Sequence, residues 1–267
     1  MPPGSRTARV IGVSRLAALF AEARRPVAFT GAGVSTESGI PDFRSPGGVW
    51  ARFDPSEFTY QNFVGSVEGR RRYWALGRVV YPVLRAAAPG AAHLALAELY
   101  RRGRLDCCIT QNIDDLHQRA GLPPVAVLEL HGNATRARCL DCGEICSRDE
   151  LHARLEQGVD VPDCPACGGL VKPHTILFGE AMPSAVVEEA ERRAAAADLF
   201  VVLGSSLAVY PAAYMPLHAR RAGATLAIVN LEPTRLDDQA DLVIRAPAGE
   251  VMAAVVDEVR ARLLQGG

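Results

Sequence analysis

Six short runs along this chain are apolar at nearly every position: VAFT (27–30), LDCCIT (105–110), VAVLEL (125–130), LFVVLG (199–204), TLAIVN (225–230) and LVI (242–244). A strand with one face in water alternates apolar and polar residues. Continuous apolar runs instead predict strands covered on both faces, as in a parallel sheet. Between them, SRLAALFAEARR, AAHLALAELYRR, SAVVEEAERRAAAA, PAAYMPLHARRAG and GEVMAAVVDEVRARLL return apolar residues every three or four positions, the period of a helix lying on a core. Serine accepts hydrogen bonds from the free amides of a first helical turn, so the first helix is expected to open at Ser14. Strand–helix alternation behind a glycine-bearing first turn predicts an α/β fold, a Rossmann-like doubly wound parallel sheet.

Two segments break the alternation. Residues 46–90 are helical in pattern and rich in aromatics and arginine (EGRRRYWALGR), and residues 134–170 hold five cysteines with little apolar period. Both read as insertions that together form a smaller domain. The expected organisation is a Rossmann-like domain from 1–45, 91–133 and 171–267, with a helical insertion at 46–90 and a metal-binding insertion at 134–170.

Composition narrows the function. Twenty-nine basic against thirty acidic residues leave a net charge of −1 in 267 residues, which gives no electrostatic basis for coating nucleic acid. No stretch approaches the roughly 18–20 apolar residues of a membrane span. Arginines and a glutamate interrupt the apolar part of the N-terminus, so a secretory signal is not expected. The chain is read as cytoplasmic, where seven cysteines point to metal binding rather than disulfides.

CLDC (139–142) and CPAC (164–167) are two C-x-x-C hooks, each followed by a glycine suited to a tight knuckle turn. Two hooks bring four thiolates, Cys139, Cys142, Cys164 and Cys167, onto one tetrahedral zinc ion. Four cysteines leave no open coordination position, so the metal reads as structural. Cys146 reads as a bystander, and Cys107 and Cys108 as buried apolar residues of a strand. A redox dithiol would sit near the start of a βαβ unit, and neither hook does. A nucleic-acid-reading ribbon is disfavoured by the neutral charge.

Ligands of open α/β sheets gather at the carboxyl ends of strands. Four expected strand ends carry glycine or polar residues: Gly31–Gly33, Gln111–Asp114, Gly204–Ser206 and Asn230–Glu232. Gly31 and Gly33 suit a close approach to a pyrophosphate, although the third glycine of the dinucleotide fingerprint is missing. His131 follows another strand, and histidine is the side chain whose basicity suits proton transfer near neutral pH.

The strings GAGVSTESGIPDFR, TQNIDDLH, HGN, the paired hooks, VKPHTILFGE, GSSLAVYP and IVNLE stand in the order seen in sirtuins, the NAD-dependent protein-lysine deacylases. The resemblance spans about Val27 to Ala248. It implies NAD+ as cosubstrate, one structural zinc ion, and acylated-lysine proteins or peptides as partners, with no membrane or direct nucleic-acid partner. On the matched positions, Gly31, Ala32 and Gly33 would face the pyrophosphate. Ile40, Asn112 and Asp114 would form the nicotinamide pocket, Phe43 would shield it, and Arg44 would lie along the cofactor. Ser205, Ser206, Asn230 and Glu232 would meet the adenosine side, and Ser35, Asp42, Gln111, Ile113, Gly204, Leu231 and Ala248 complete the implied cofactor set. His131 resembles the general base, with Asn112 and Asp114 beside it in the catalytic set. Ile176, Leu177, Phe178 and Gly179 resemble the segment that pairs with the substrate backbone.

Two further readings stay open on the same scaffold: a mono-ADP-ribosyltransferase and a non-catalytic, zinc-bearing NAD sensor. A hydride-transferring dehydrogenase is disfavoured by SGIPDFR and the missing glycine. Sirtuins that prefer succinyl or malonyl groups carry Tyr-x-x-Arg in the helix containing RRRYWALGR. Here the aligned positions hold Trp74 and Gly77, and Tyr73 is followed three residues on by Leu76. Neutral acyl groups, acetyl or longer apolar chains, are therefore expected.

Overall fold

The computed structural model describes residues 6–41 and 53–265. Its larger sheet contains β1 (Pro26–Thr30), β2 (Cys107–Thr110), β3 (Val127–Glu129), and, numbered in chain order past three strands of a second sheet, β7 (Leu199–Leu203), β8 (Thr225–Val229) and β9 (Leu242–Ile244). They lie in the order β3-β2-β1-β7-β8-β9, and all neighbours are parallel. The chain winds outward from β1 in one direction and from β7 in the other, so the crevice between them is the topological switch point.

Successive side chains of a strand point to opposite faces, and the two faces have separate cores. Ala28, Cys108, Val201, Leu203, Ala227 and Val229 pack with Leu16, Phe20, Leu96, Val251 and Val255. These helical residues belong to α1 (Arg6–Glu22), α4 (Ala91–Arg101) and α9 (Ala248–Gln265). Val27, Phe29, Cys107, Ile109, Phe200, Val202, Leu226 and Ile228 pack on the other face with Ala190, Ala194, Met215 and Ala219, from α7 (Ser184–Ala196) and α8 (Met215–Arg221). Cys107 and Cys108 lie on opposite faces, and burial raises both thiol pKa values, that of Cys108 to about 12. The expected doubly wound α/β sheet is found. The opening helix differs from expectation: it begins at Arg6 rather than Ser14. The Ser14 hydroxyl is instead a cross-helix contact, donating to Glu258 Oε1 of α9 at 2.8 Å.

The second sheet is antiparallel, in the order β5-β4-β6: β4 (Gly132–Cys139), β5 (Ile145–Ser147) and β6 (Val171–Thr175). The helices beside it are α2 (Tyr60–Gly65), α3 (Val67–Ala86) and α6 (Arg148–Glu156), while the short α5 (Leu116–Arg119) follows β2. A third core of Phe63, Trp74, Ala137, Leu151, Leu155, Val171 and Leu177 joins the antiparallel sheet to these helices. Full burial of one such side chain contributes about 1.5–3 kcal/mol, so the smaller unit has an apolar core of its own. Among the described residues no single helix is long and apolar enough to cross a membrane.

Candidate active site

The switch point is closed by backbone. Gly31 N–H donates to Leu203 O at 3.1 Å and Gly33 N–H to Gly204 O at 2.8 Å. A Cβ on Gly33 would lie 2.8 Å from Gly204 Cα, so the tips of β1 and β7 can meet only as bare main chain. Next to them Gln111 Nε2 donates to the buried Ser205 Oγ at 2.9 Å. Ser206 is exposed, and Leu231 and Glu232 are exposed beyond β8. Asn230 Nδ2 donates to Glu232 O at 2.7 Å, and the buried Ala248 opens α9.

Below the β1 and β2 tips lies a buried polar network. Ser35 Oγ donates to Asp114 Oδ2 at 2.7 Å and accepts from Asn112 Nδ2 at 3.0 Å. Asn112 Nδ2 also donates to Gly31 O at 3.1 Å, and Asp114 Oδ1 accepts the Leu116 amide at 3.0 Å. A carboxylate in a dry setting needs such partners, because an unpaired buried charge is costly. His93 extends the network. Its Nδ1 accepts the Gly90 amide at 3.1 Å, which leaves the proton on Nε2, 3.4 Å from Ser35 Oγ. The His117 ring lies 4.9 Å from that of His93. The Thr30 hydroxyl donates to Thr110 at 2.8 Å, so His117 Nε2, also 2.8 Å away, must donate to Thr30. Burial lowers the pKa of both histidines.

His131 stands in the turn between β3 and β4. Its Nδ1 lies 3.0 Å from Gln111 O. A carbonyl only accepts, so Nδ1 carries the proton and Nε2 is left as a base. Burial lowers the imidazole pKa, with the Gln111 bond acting in the opposite direction. The next residue, Gly132, has φ +74, and a Cβ there would lie 2.1 Å from His174 O, so only glycine fits this turn. Asn133 then ties the turn down by donating to Asp115 Oδ1 at 2.8 Å and Glu129 Oε1 at 2.6 Å.

One cavity of about 690 Å³ joins these groups. Ala32, Ser35, Ile40, Gln111, Asn112, Ile113, Asp114 and His131 line it, and so do Ile176, Leu177, Phe178 and Gly179 beyond β6. The latter segment is held at both ends: Ile176 N–H donates to His131 O at 2.9 Å, and Phe178 O accepts the Tyr60 amide at 2.9 Å. Gly204, Ser205, Ser206, Asn230, Leu231, Glu232 and Ala248 are not part of this lining; they continue the row of strand ends past β7. Asp42, Phe43 and Arg44 lie outside the described residues.

The four hook cysteines form a separate group, with their sulfur atoms all within 4.8 Å of one another. Cys139 and Cys167 Sγ are 3.6 Å apart, and Cys142 and Cys164 Sγ 3.8 Å. Sulfurs about 2.3 Å from a central zinc ion sit at nearly these separations. The Cys142 amide donates to Cys139 Sγ at 3.4 Å and holds that thiol down at about 7. Cys146 is outside the group.

Among the residues of the cavity and its network that escaped the reading of the sequence are His93 and Arg148. His93 is a polar residue inside AAHLALAELYRR, where its neighbours Ala92, Ala95, Leu96 and Leu99 are buried, and that register was the available signal. Arg148 lines the cavity although it is 2% exposed. Nothing in SRDELHARL distinguishes it from a solvated first-turn arginine.

A doubly wound sheet with a largely apolar cavity bearing a polar end at its strand tips, beside a smaller unit that carries a four-cysteine group, defines a class of nucleotide-dependent enzymes. The model of the Sir2 family matches residues 31–211. The chain belongs to that family. It is 49% identical over 245 residues to NAD-dependent protein deacetylase 1 of Bradyrhizobium diazoefficiens, covering 92% of this chain and 95% of that one. It is 44% identical to NAD-dependent protein deacylase 2 of Archaeoglobus fulgidus, covering 93% and 96%. Among solved structures it is similar to a Sir2 with p53 peptide and NAD+, at a TM-score of 0.80 and 38% identity, covering 95% of this chain and 98% of that one. A second, with deacetylated p53 peptide and 3'-O-acetyl-ADP-ribose, gives a TM-score of 0.85 and 39% identity over 92% and 98%.

Proposed function

We propose that this chain is an NAD-dependent protein-lysine deacylase. One acyl-lysine, one NAD+ and one water give free lysine, nicotinamide and O-acyl-ADP-ribose. The observation that carries the reading is the single cavity in which Asn112, Asp114 and His131 share walls with Ile176–Gly179.

The residues present fit the cosubstrate. Gly31, Ala32, Gly33 and Gly204 leave no side chain larger than a methyl over the switch point, and Ser205, Ser206, Asn230, Leu231, Glu232 and Ala248 extend the same row of strand ends. NAD+ supplies an anomeric carbon that gives up nicotinamide and a ribose that accepts the acyl group. Asn112 and Asp114, fixed by Ser35, orient the carboxamide. Ile40 and Ile113 exclude water from it, and Gln111 steadies both Ser205 and His131. His131 Nε2, unprotonated at neutral pH, takes a ribose hydroxyl proton. Ile176, Leu177, Phe178 and Gly179 hold the peptide so that its acyl oxygen meets the sugar. Asp42, Phe43 and Arg44 are proposed for the cofactor loop on their sequence match alone.

Cys139, Cys142, Cys164 and Cys167 would hold one zinc ion, whose contribution is folding free energy. Residues 46–90 and 134–170 are proposed as the smaller domain, folding against the rest of the chain. Net neutrality and the apolar cavity support acylated proteins as partners, without membrane or nucleic acid, and a cysteine pattern that suits metal binding rather than disulfides supports a cytoplasmic setting. Incubation of the purified chain with NAD+ and acylated peptides tests the reading, with nicotinamide and acyl-ADP-ribose followed by mass. Equal amounts of both, dependent on the acyl peptide, are expected; NAD+ left intact, or ADP-ribose attached to protein, would overturn it.

A further inference from the structure

The wall of the cavity farthest in kind from its polar end is made by α3, which contributes Leu76, Gly77, Val80 and Leu84. Into this apolar wall α6 places one cation. The Arg148 guanidinium carbon sits 4.7 Å from the Trp74 ring centroid and 4.5 Å from that of Tyr81. Its Nη1 has no hydrogen-bond partner, and Arg148 makes no ion pair among the described residues. The neighbouring Asp149 does not serve it, because that carboxylate takes the Tyr81 hydroxyl at 2.7 Å and Arg85 Nε at 2.7 Å.

Burying a guanidinium without a carboxylate is unfavourable, and two aromatic faces offset only part of this. Gly77 makes the room: a Cβ there would lie 2.6 Å from Arg148 Nη2. The position where α3 lacks an arginine of its own is thus filled from the metal-binding insertion. An arginine fork is shaped for a planar carboxylate. The anion that completes it must enter through the cavity, whose other end holds His131.

Resting on the deacylase reading, we infer that Arg148 binds the far end of the acyl group, and that the preferred substrates are lysines carrying dicarboxylic acyl chains with a free terminal carboxylate. This replaces the neutral acyl groups expected from α3 alone. The cation comes from a different element, 71 positions beyond Gly77.

The test compares peptides bearing succinyl-, glutaryl- and adipoyl-lysine with their terminal carboxamides, and with acetyl-lysine, on the zinc-loaded wild-type chain. A charge-assisted hydrogen bond predicts that at one chain length or more the acid exceeds its amide by about tenfold or more in kcat/KM. In Arg148→Met that ratio should fall to one or below, and in Arg148→Lys part of it should return. The wild-type comparison stands even where a variant fails to fold. Acetyl turnover with no acid favoured at any length would overturn this inference alone. No turnover of any acyl peptide would overturn the deacylase reading and this inference with it.

Discussion

Ser35→Ala removes one oxygen from the centre of the buried network, and the structure sets what it should do. The hydroxyl is 1% exposed and serves three groups: it donates to Asp114 Oδ2, and accepts from Asn112 Nδ2 and His93 Nε2. Asp114 keeps the Leu116 amide and Asn112 keeps Gly31 O, so neither is wholly orphaned. A hydrogen bond to a charged group contributes about 1.5–3 kcal/mol and a neutral one about 1 kcal/mol. These losses share one atom and do not add fully, so about 2–4 kcal/mol is expected in total. At roughly 2–4 °C per kcal/mol for a chain of this size, Tm should fall by about 4–16 °C. Asn112 and Asp114, freed to change rotamer, should exchange nicotinamide at least about tenfold more slowly. The control is Ser38→Ala on the same segment, whose buried hydroxyl has no partner and whose removal should leave Tm within about 1 °C. Thermal denaturation and labelled-nicotinamide exchange read the two effects. If Ser35→Ala melts with Ser38→Ala and exchanges nicotinamide at the wild-type rate, the network does not hold the pocket, and the roles given to Asn112 and Asp114 fail together.

Zinc removal by a strong chelator, or Cys142→Ser, should lower Tm and release one ion per chain by metal analysis; a zinc-free chain with an unchanged melting curve would contradict the structural role. Stability should also depend on acidity. His93 and His117 are buried with pKa values lowered below 6.5, so between their folded values and pH 6.5 the unfolded chain binds the extra protons. Their contribution is complete above pH 6.5 and is lost as pH falls, by up to about 1.4 kcal/mol per pH unit for each ring. Urea titrations at pH 7.5, 6.5 and 5.5 check this, and a flat profile would refute it. The rate profile should follow His131: kcat/KM levels off by pH 7 and falls with acidification through a value below 6.5, since Nε2 must be free to accept a proton.

The sheet was legible because its strands are buried on both faces, and consecutive apolar positions record that directly. Val27 and Ala28, or Phe200 and Val201, go to opposite cores, as consecutive apolar positions of a strand covered on both faces must. The hooks were legible for a similar reason, since metal geometry dictates their spacing. The start of α1 was not, because Ser14 satisfies a local capping rule while its partner, Glu258, is 244 positions away. His93 and Arg148 were hidden for the same reason: each gains its meaning from elements distant in sequence, Ser35 for one and α3 for the other. Residue type and local period carry what the backbone needs; the polar interior of a cavity is set by pairings that cross the fold.

One such crossing explains why a closed metal site belongs next to an active site it does not touch. β4 leaves the His131 turn at Gly132 and ends at the zinc-hook residue Cys139, while β6 runs back from Val171 opposite Cys139 to Thr175 opposite Gly132. The register is irregular between Gly132 and Ala137, where β4 carries more residues than β6, and the four steps of β6, about 13 Å, tie the two ends together. At the far end the Ile176 amide holds His131 O, and Lys172 holds Glu180 at 3.0 Å, whose other contact is the Leu177 amide at 2.9 Å. The strand that follows His131, the proposed base, is therefore the strand that a zinc ion on Cys139 would clamp, and the strand beside it continues into the segment proposed for the peptide. A β-ribbon shifted by one residue would turn every side chain to the opposite face, so a cross-link at Cys139 protects the register of the regular pairs Ala137–Pro173, Arg138–Lys172 and Cys139–Val171. The same ribbon carries β5, and directly after it Arg148, toward α3. The proposed base, peptide edge and acyl-end cation thus all stand on one sheet that the zinc site would clamp, which is a physical reason for the cysteine-bearing segment to lie between β3 and α7.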